Sequence, residues 1–174
     1  YYISLFLLCI EDMMVAPGYP VTILLGYIAV GVARRVAVGI IVTLLSLYFT
    51  ELQVHHVGVM VAVVFLSAVL FSLGGFINAV FASKFDDIAI IPTFVITPLT
   101  YLGGVFYSIS LLPDFWQDVS KLNPILYMVS TFRYGVLGVS DINVAFAFGM
   151  LVFFIVILGG YSIWLLRRGT GMRQ

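Results

Sequence analysis

The chain has 174 residues, 63% hydrophobic and 9% charged, with eight Lys and Arg balanced by eight Asp and Glu. An average soluble domain carries roughly 25% charged residues, so there is too little charge here to cover a water-exposed surface. With a mean hydropathy of +1.18, the composition reads as an integral membrane protein. A net charge of zero excludes a general electrostatic field for nucleic acid, and the lone Cys9 excludes an internal disulfide.

The first apolar run, YYISLFLLCI, is about ten residues long, short of the roughly 20 that cross a bilayer. It lacks a basic leader and a small-residue cleavage site, so it does not read as a signal peptide. The expectation is a chain that has lost its N-terminal part. Next comes EDMMVAPGYP. Glu11 and Asp12 open a short helix; Met13, Met14, Val15 and Ala16 supply its body; Pro17-Gly18 ends it. Such a helix is either a surface connector or a docking element for a soluble partner.

Four segments are long and apolar enough to cross as helices: Gly26–Phe49, Val57–Ala79, Ile88–Phe106 and Val144–Leu166. Alternation typical of a membrane barrel is absent. Orientation follows from basic residues in short loops. The tail with Arg167, Arg168 and Arg173 is placed in the cytoplasm, together with the loop holding Lys84, Asp86 and Asp87. Arg34 and Arg35 fall in the inner half of the first span, from which they are expected to snorkel to the headgroups, with contact to an anionic substrate or lipid as the alternative.

The third segment reads IIPTFVITPLTYLGGVFY. Pro92 and Pro98 each remove a backbone donor and kink the helix. Thr93, Thr97, Thr100 and Tyr101 share a polar face at helical spacing, with Tyr107 just beyond. They are either the wall of a translocation route or threonines bonded to their own backbone in a helix–helix contact. Gly103-Gly104 permits close backbone approach.

The most polar stretch, LLPDFWQDVSKLNP, is amphipathic. Leu112, Phe115, Trp116, Val119 and Leu122 fall on one face and Asp114, Gln117, Asp118 and Lys121 on the other, as in a helix at the interface. Asn123-Pro124 stops it and starts ILYMVSTFRYG, too short to cross before Gly138. Two short external helices, Ser110–Asn123 and Pro124–Gly138, therefore dip into the outer leaflet and leave again. That shape suits a gate over a transport path, formed by Phe115, Trp116, Asn123, Pro124, Tyr127 and Arg133.

Catalytic signatures are missing. There is no phosphate-binding loop and no zinc-protease motif, and the adjacent His55 and His56 cannot share one helical face as metal ligands. Asp86-Asp87 lacks the further carboxylates that a magnesium-diphosphate site needs. No metal and no enzymatic activity is expected in this chain.

The run FDDIAIIPTFVITPLTYLGGVFYSISLLPDFWQDVSKLNPILYMVSTFRYGVLG resembles the membrane permeases of type-two ABC transporters, which export drugs, polysaccharides and lipo-oligosaccharides. EDMMVAPGYP followed by LLGYIAVGVARR is similar to that family's cytoplasmic connector and the helix after it. The resemblance implies an all-α polytopic membrane bundle, one permease domain over residues 1–174, in a bacterial inner membrane. It implies a separate ATPase subunit that holds ATP and magnesium, and a second permease copy, expected to be identical. By carry-over, Glu11 to Pro17 form the coupling helix that docks on the ATPase. The family has six spans, so the first two would be missing or reduced to Tyr1–Ile10, and the basic residues usual before the coupling helix are absent. The alternatives are a scaffold subunit, whose Gly74-Gly75, Gly103-Gly104 and Gly159-Gly160 pairs serve packing alone, and an ion-coupled transporter. The latter lacks acidic residues in its spans to relay protons.

Overall fold

A computed structural model describes residues 20–49, 54–81, 89–90, 92–140 and 142–168. The described chain is helical: α1 is Pro20–Phe49, α2 Val57–Phe81, α3 Thr97–Leu102, α4 Asp114–Lys121, α5 Pro124–Leu137 and α6 Val144–Arg168. A π turn at Pro92–Ile96 leads into α3, and a 3₁₀ turn at Ile109–Leu111 precedes α4. Among the described residues, three helices are long and apolar enough to cross a membrane, Leu24–Ser46, Val57–Phe81 and Val144–Arg168. The expected coupling residues Glu11, Asp12, Met13, Met14, Val15, Ala16 and Pro17 lie outside the described residues.

Helix α2 is the hub, packed against α1, α5 and α6. One apolar cluster joins Val63 and Leu70 of α2 to Tyr127 and Met128 of α5 and to Ala147 and Leu151 of α6. A second joins Leu24 of α1 to Leu73 and Phe76 of α2, with Leu158 of α6 against it. These pairings fix directions. α1 runs antiparallel to α2, with the Leu24 end beside Leu73 and Gly39 facing Val64. α6 runs parallel to α2, and α5 runs antiparallel to it, with Gly135 over Met60 and the Tyr127 turn nearer Leu70. Hence Pro20, Phe81 and Arg168 share one end of the bundle.

In α1 the candidate crossing Leu24–Ser46 lies within three residues at each end of the expected Gly26–Phe49. In the described part of the expected span Ile88–Phe106, the π turn Pro92–Ile96 runs straight into α3. Pro92 and Pro98 cannot donate to an α-helical ladder, and the wider π turn between them accommodates those losses. The helix then ends at Leu102, short of Phe106, where Gly103 adopts φ −77° and Gly104 turns to φ +73°. A left-handed backbone favours glycine because it has no Cβ to clash.

Candidate functional site

The polar elbow between α4 and α5 is built by short-range chemistry. Pro113 is the N-cap of α4 and Pro124 sits in the first turn of α5. Asn123, 3% exposed, caps α5 by accepting from the Ile125 N–H at 3.0 Å. Its amide Nδ2 also donates to the Leu99 carbonyl of α3 at 2.5 Å, across 24 residues. The buried Tyr127 donates its hydroxyl to the Lys121 carbonyl at 2.6 Å. Gly138, at φ +73°, ends α5, and its N–H donates to the Tyr134 carbonyl. On the exposed face of α4, Lys121 pairs with Asp118 at 2.7 Å. That hydrogen bond raises the ammonium's pKa above its ordinary value. Phe115 and Trp116 are exposed, with rings meeting edge-on at 5.6 Å.

The end of α3 is tied down by groups from several elements. The last four carbonyls of a helix have no partner within it. Here Leu99 receives Asn123 Nδ2, Thr100 receives the Gly103 N–H at 3.3 Å, and Tyr101 receives the Tyr107 hydroxyl at 2.5 Å. Arg133 of α5 donates to the Gly104 carbonyl at 2.8 Å. Gly103 has no room for a side chain, since a Cβ there would lie 2.7 Å from Ile125 Cγ2. The predicted residues Asn123, Tyr107 and Arg133 thus converge on one turn, and Pro124 and Tyr127 support it from α5.

The polar face of the third segment is arranged differently. Thr93 donates to the Ala89 carbonyl and Thr100 to the Ile96 carbonyl, each at 2.8 Å, so both hydroxyls are spent on their own helix. Thr97 is exposed, and Tyr101 lies against Phe106 with ring centres 5.7 Å apart. The His56 ring stacks on Tyr134 at 4.9 Å, and the His56 backbone N–H donates to the Gly135 carbonyl at 2.9 Å. Among the described residues, no cluster of His, Cys, Asp or Glu could hold a metal ion.

The sequence reading missed a groove of about 610 Å³ along α2 and α5. Its wall is apolar, including Val64, Phe71, Val129 and Phe132, and two arginines line it, Arg35 and Arg133. Arg35 lies at the middle of the candidate span Leu24–Ser46. Rather than snorkelling to a helix end, it donates Nη1 to Ser72 Oγ and Nη2 to the Phe71 carbonyl, 3.3 Å away on α2. The local signal for this was Gly31, one turn before Arg35. A Cβ at Gly31 would collide with Ser72 Oγ, so only glycine lets α1 come this close.

Comparison with known proteins gives this architecture a family. The ABC-2 type transporter family matches residues 9–137. The chain is 54% identical over 165 residues to the inner membrane transport permease YadH of Escherichia coli K12, covering 95% of this chain and 64% of that relative. It is 28% identical over 106 residues to nodulation protein J of Rhizobium leguminosarum bv. viciae, covering 61% of this chain and 41% of that protein. The chain therefore spans slightly less than two thirds of the YadH length. No solved structure matches it. With α2 and two further membrane-length helices packed on it among the described residues, a helical elbow bracing α3, and a family match over residues 9–137, the chain belongs to the ABC-2 type transporter family.

Proposed function

We propose that this chain forms the membrane core of a permease subunit that exports an amphipathic substrate, such as a lipid, glycan or drug, across a bacterial inner membrane. ATP is hydrolysed on a separate ATPase subunit, which carries the nucleotide and magnesium, and two permease copies form the pathway as a homodimer. The observation that carries this reading is the family match over residues 9–137 together with 54% identity to a transport permease.

The direction of the helices supports the details. Pro20 follows directly on the EDMMVAPGY stretch and lies at the same end of the bundle as Phe81 and Arg168. Placing that end in the cytoplasm satisfies the bias of Arg167 and Arg168, and in the chain the proposed coupling stretch Glu11–Pro17 precedes α1. The elbow then faces the outer leaflet. Phe115 and Trp116 sit at headgroup level, while Asn123, Pro124, Tyr127 and Arg133 brace the end of the third segment as a gate. Thr93, Thr97, Thr100, Tyr101 and Tyr107 line the approach to it. Nucleotide-driven closure of the ATPase pair would move Glu11–Pro17 and α1, favouring one conformation of the gate over the other.

Co-purification tests the assembly. The complete permease, tagged and extracted in mild detergent, should bring down an ABC-type ATPase subunit in equimolar amount and run as a complex with two permease copies. A permease that purifies alone from cells overexpressing both subunits contradicts the reading.

A further inference from the structure

We infer that the groove between α2 and α5 is a binding site for an anionic amphiphile, its tail against the apolar wall and its acidic group held by Arg35 or Arg133. The volume of about 610 Å³ falls within the usual 300–1,000 Å³ of small-ligand sites. The wall between Val63 and Phe71 of α2 is about 12 Å long at 1.5 Å rise per residue and is lined by Val64, Val129 and Phe132. The two arginines line it from different helices, Arg35 beside Phe71 and Ser72 and Arg133 beside Gly104.

Charge complementarity selects the occupant. The described residues hold two carboxylates, Asp114 and Asp118, both on α4, and neither lines the groove. Asp118 is already engaged with Lys121. Arg35 therefore sits at mid-span, bonded to a hydroxyl and a carbonyl, with no anion from the described residues to balance it. A cation at the middle of a span is expensive and is retained where it serves a substrate or an ion partner. Guanidinium suits carboxylate and phosphate, and it keeps donors for them beyond the two it spends on α2. An apolar wall rejects a bare inorganic anion, and the two cations reject a cationic drug. We assign the amphiphile as the exported cargo, a step that rests on the exporter reading; the binding site itself does not.

The test uses the complete permease in phosphatidylcholine nanodiscs, with lysophosphatidylglycerol as the anionic probe and lysophosphatidylcholine as its control. The anionic probe should bind more tightly, and Arg35→Gln and Arg133→Gln should each weaken it about fivefold, the size of one cation's attraction for an anionic lipid. Arg35→Lys should keep part of the preference, and Val129→Trp, which fills the wall without altering charge, should weaken both probes. Equal binding of the two probes, or no binding because another part of the polypeptide fills the groove, overturns the site. In the ATPase complex, ATP should displace the anionic probe. Charge-selective binding that ATP leaves untouched overturns the cargo assignment and marks a resident bilayer lipid. A complex that hydrolyses no ATP defeats the exporter reading alone, because the probe preference is read without nucleotide.

Discussion

Glycines set how closely the other helices approach α2, and they do not contribute equally. At Gly135 a Cβ would meet the Met60 backbone nitrogen at 3.1 Å and its Cα at 3.2 Å, atoms that cannot move aside without shifting the helix. At Gly31 it would strike Ser72 Oγ, with Ser72 Cβ 3.2 Å away. Gly74 faces open space. Gly135→Ala and Gly31→Ala should each cost about 1–3 kcal/mol, the usual range for overpacking, in thermal unfolding of the detergent-solubilised protein. Gly74→Ala should be neutral or raise stability by about 0.5–1 kcal/mol, since alanine is the better helix former. Adding Ser72→Ala to Gly31→Ala removes the colliding oxygen and should recover part of the loss, a coupling that a double-mutant cycle measures. Equal effects at Gly74 and Gly135 would refute this account of the packing. On the surface, the Lys121–Asp118 pair is exposed, so Lys121→Met should leave the unfolding midpoint unchanged. Because the folded-state pKa of Lys121 is raised, whatever the pair contributes is present at neutral pH and disappears only as alkaline pH removes the ammonium proton.

Among the elements, α4 and α5 were the most legible in the sequence, because the residues that bound them act on their own backbone. Pro113, Asn123, Pro124 and Gly138 stand where the helices start and stop. The end of the third segment was not legible. Its last carbonyls find Asn123 and Arg133, 24 and 29 residues away from their acceptors, and such partners leave no local pattern. Arg35 was misjudged for the same reason, since its acceptors are 36 and 37 residues away on α2. The threonines were legible only as a face, and nothing in their spacing told an open wall from hydroxyls bonded one turn back. Asn123 separates two contributions experimentally. Asn123→Ala loses both the cap and the tie to Leu99, and should cost about 2 kcal/mol, the upper end for a lost cap. Asn123→Asp keeps an acceptor for the Ile125 N–H but cannot donate to Leu99. It should therefore preserve slow amide exchange in the first turn of α5 while speeding exchange in α3. Faster exchange in α5 with α3 unchanged would contradict the proposed bracing.

For the whole molecule, the bundle explains where an external motor could act. Arg35 would cost roughly 2.5–3.5 kcal/mol at a span centre if left to lipid, and its bonds to Ser72 and Phe71 instead couple α1 to α2. α2 in turn carries α5, and α5 holds the end of α3 through Asn123 at its N-cap and Arg133. A displacement at the Pro20 end of α1 thus has a continuous packed route to the elbow. The helical class and membrane character were legible from composition alone, because 63% hydrophobic residues and 9% charge leave few other solutions. The arrangement of helices around α2 was not, since α2 and α6 are apolar nearly all round and Arg34 and Arg35 of α1 do not by themselves name the helix they meet. The most direct test reconstitutes the complete permease with the candidate ATPase in lipid and measures ATP hydrolysis with and without Met14→Asp or Val15→Asp. Hydrolysis should require the permease, and either substitution should uncouple it while the permease remains folded. Hydrolysis indifferent to both the permease and these substitutions would contradict the exporter reading.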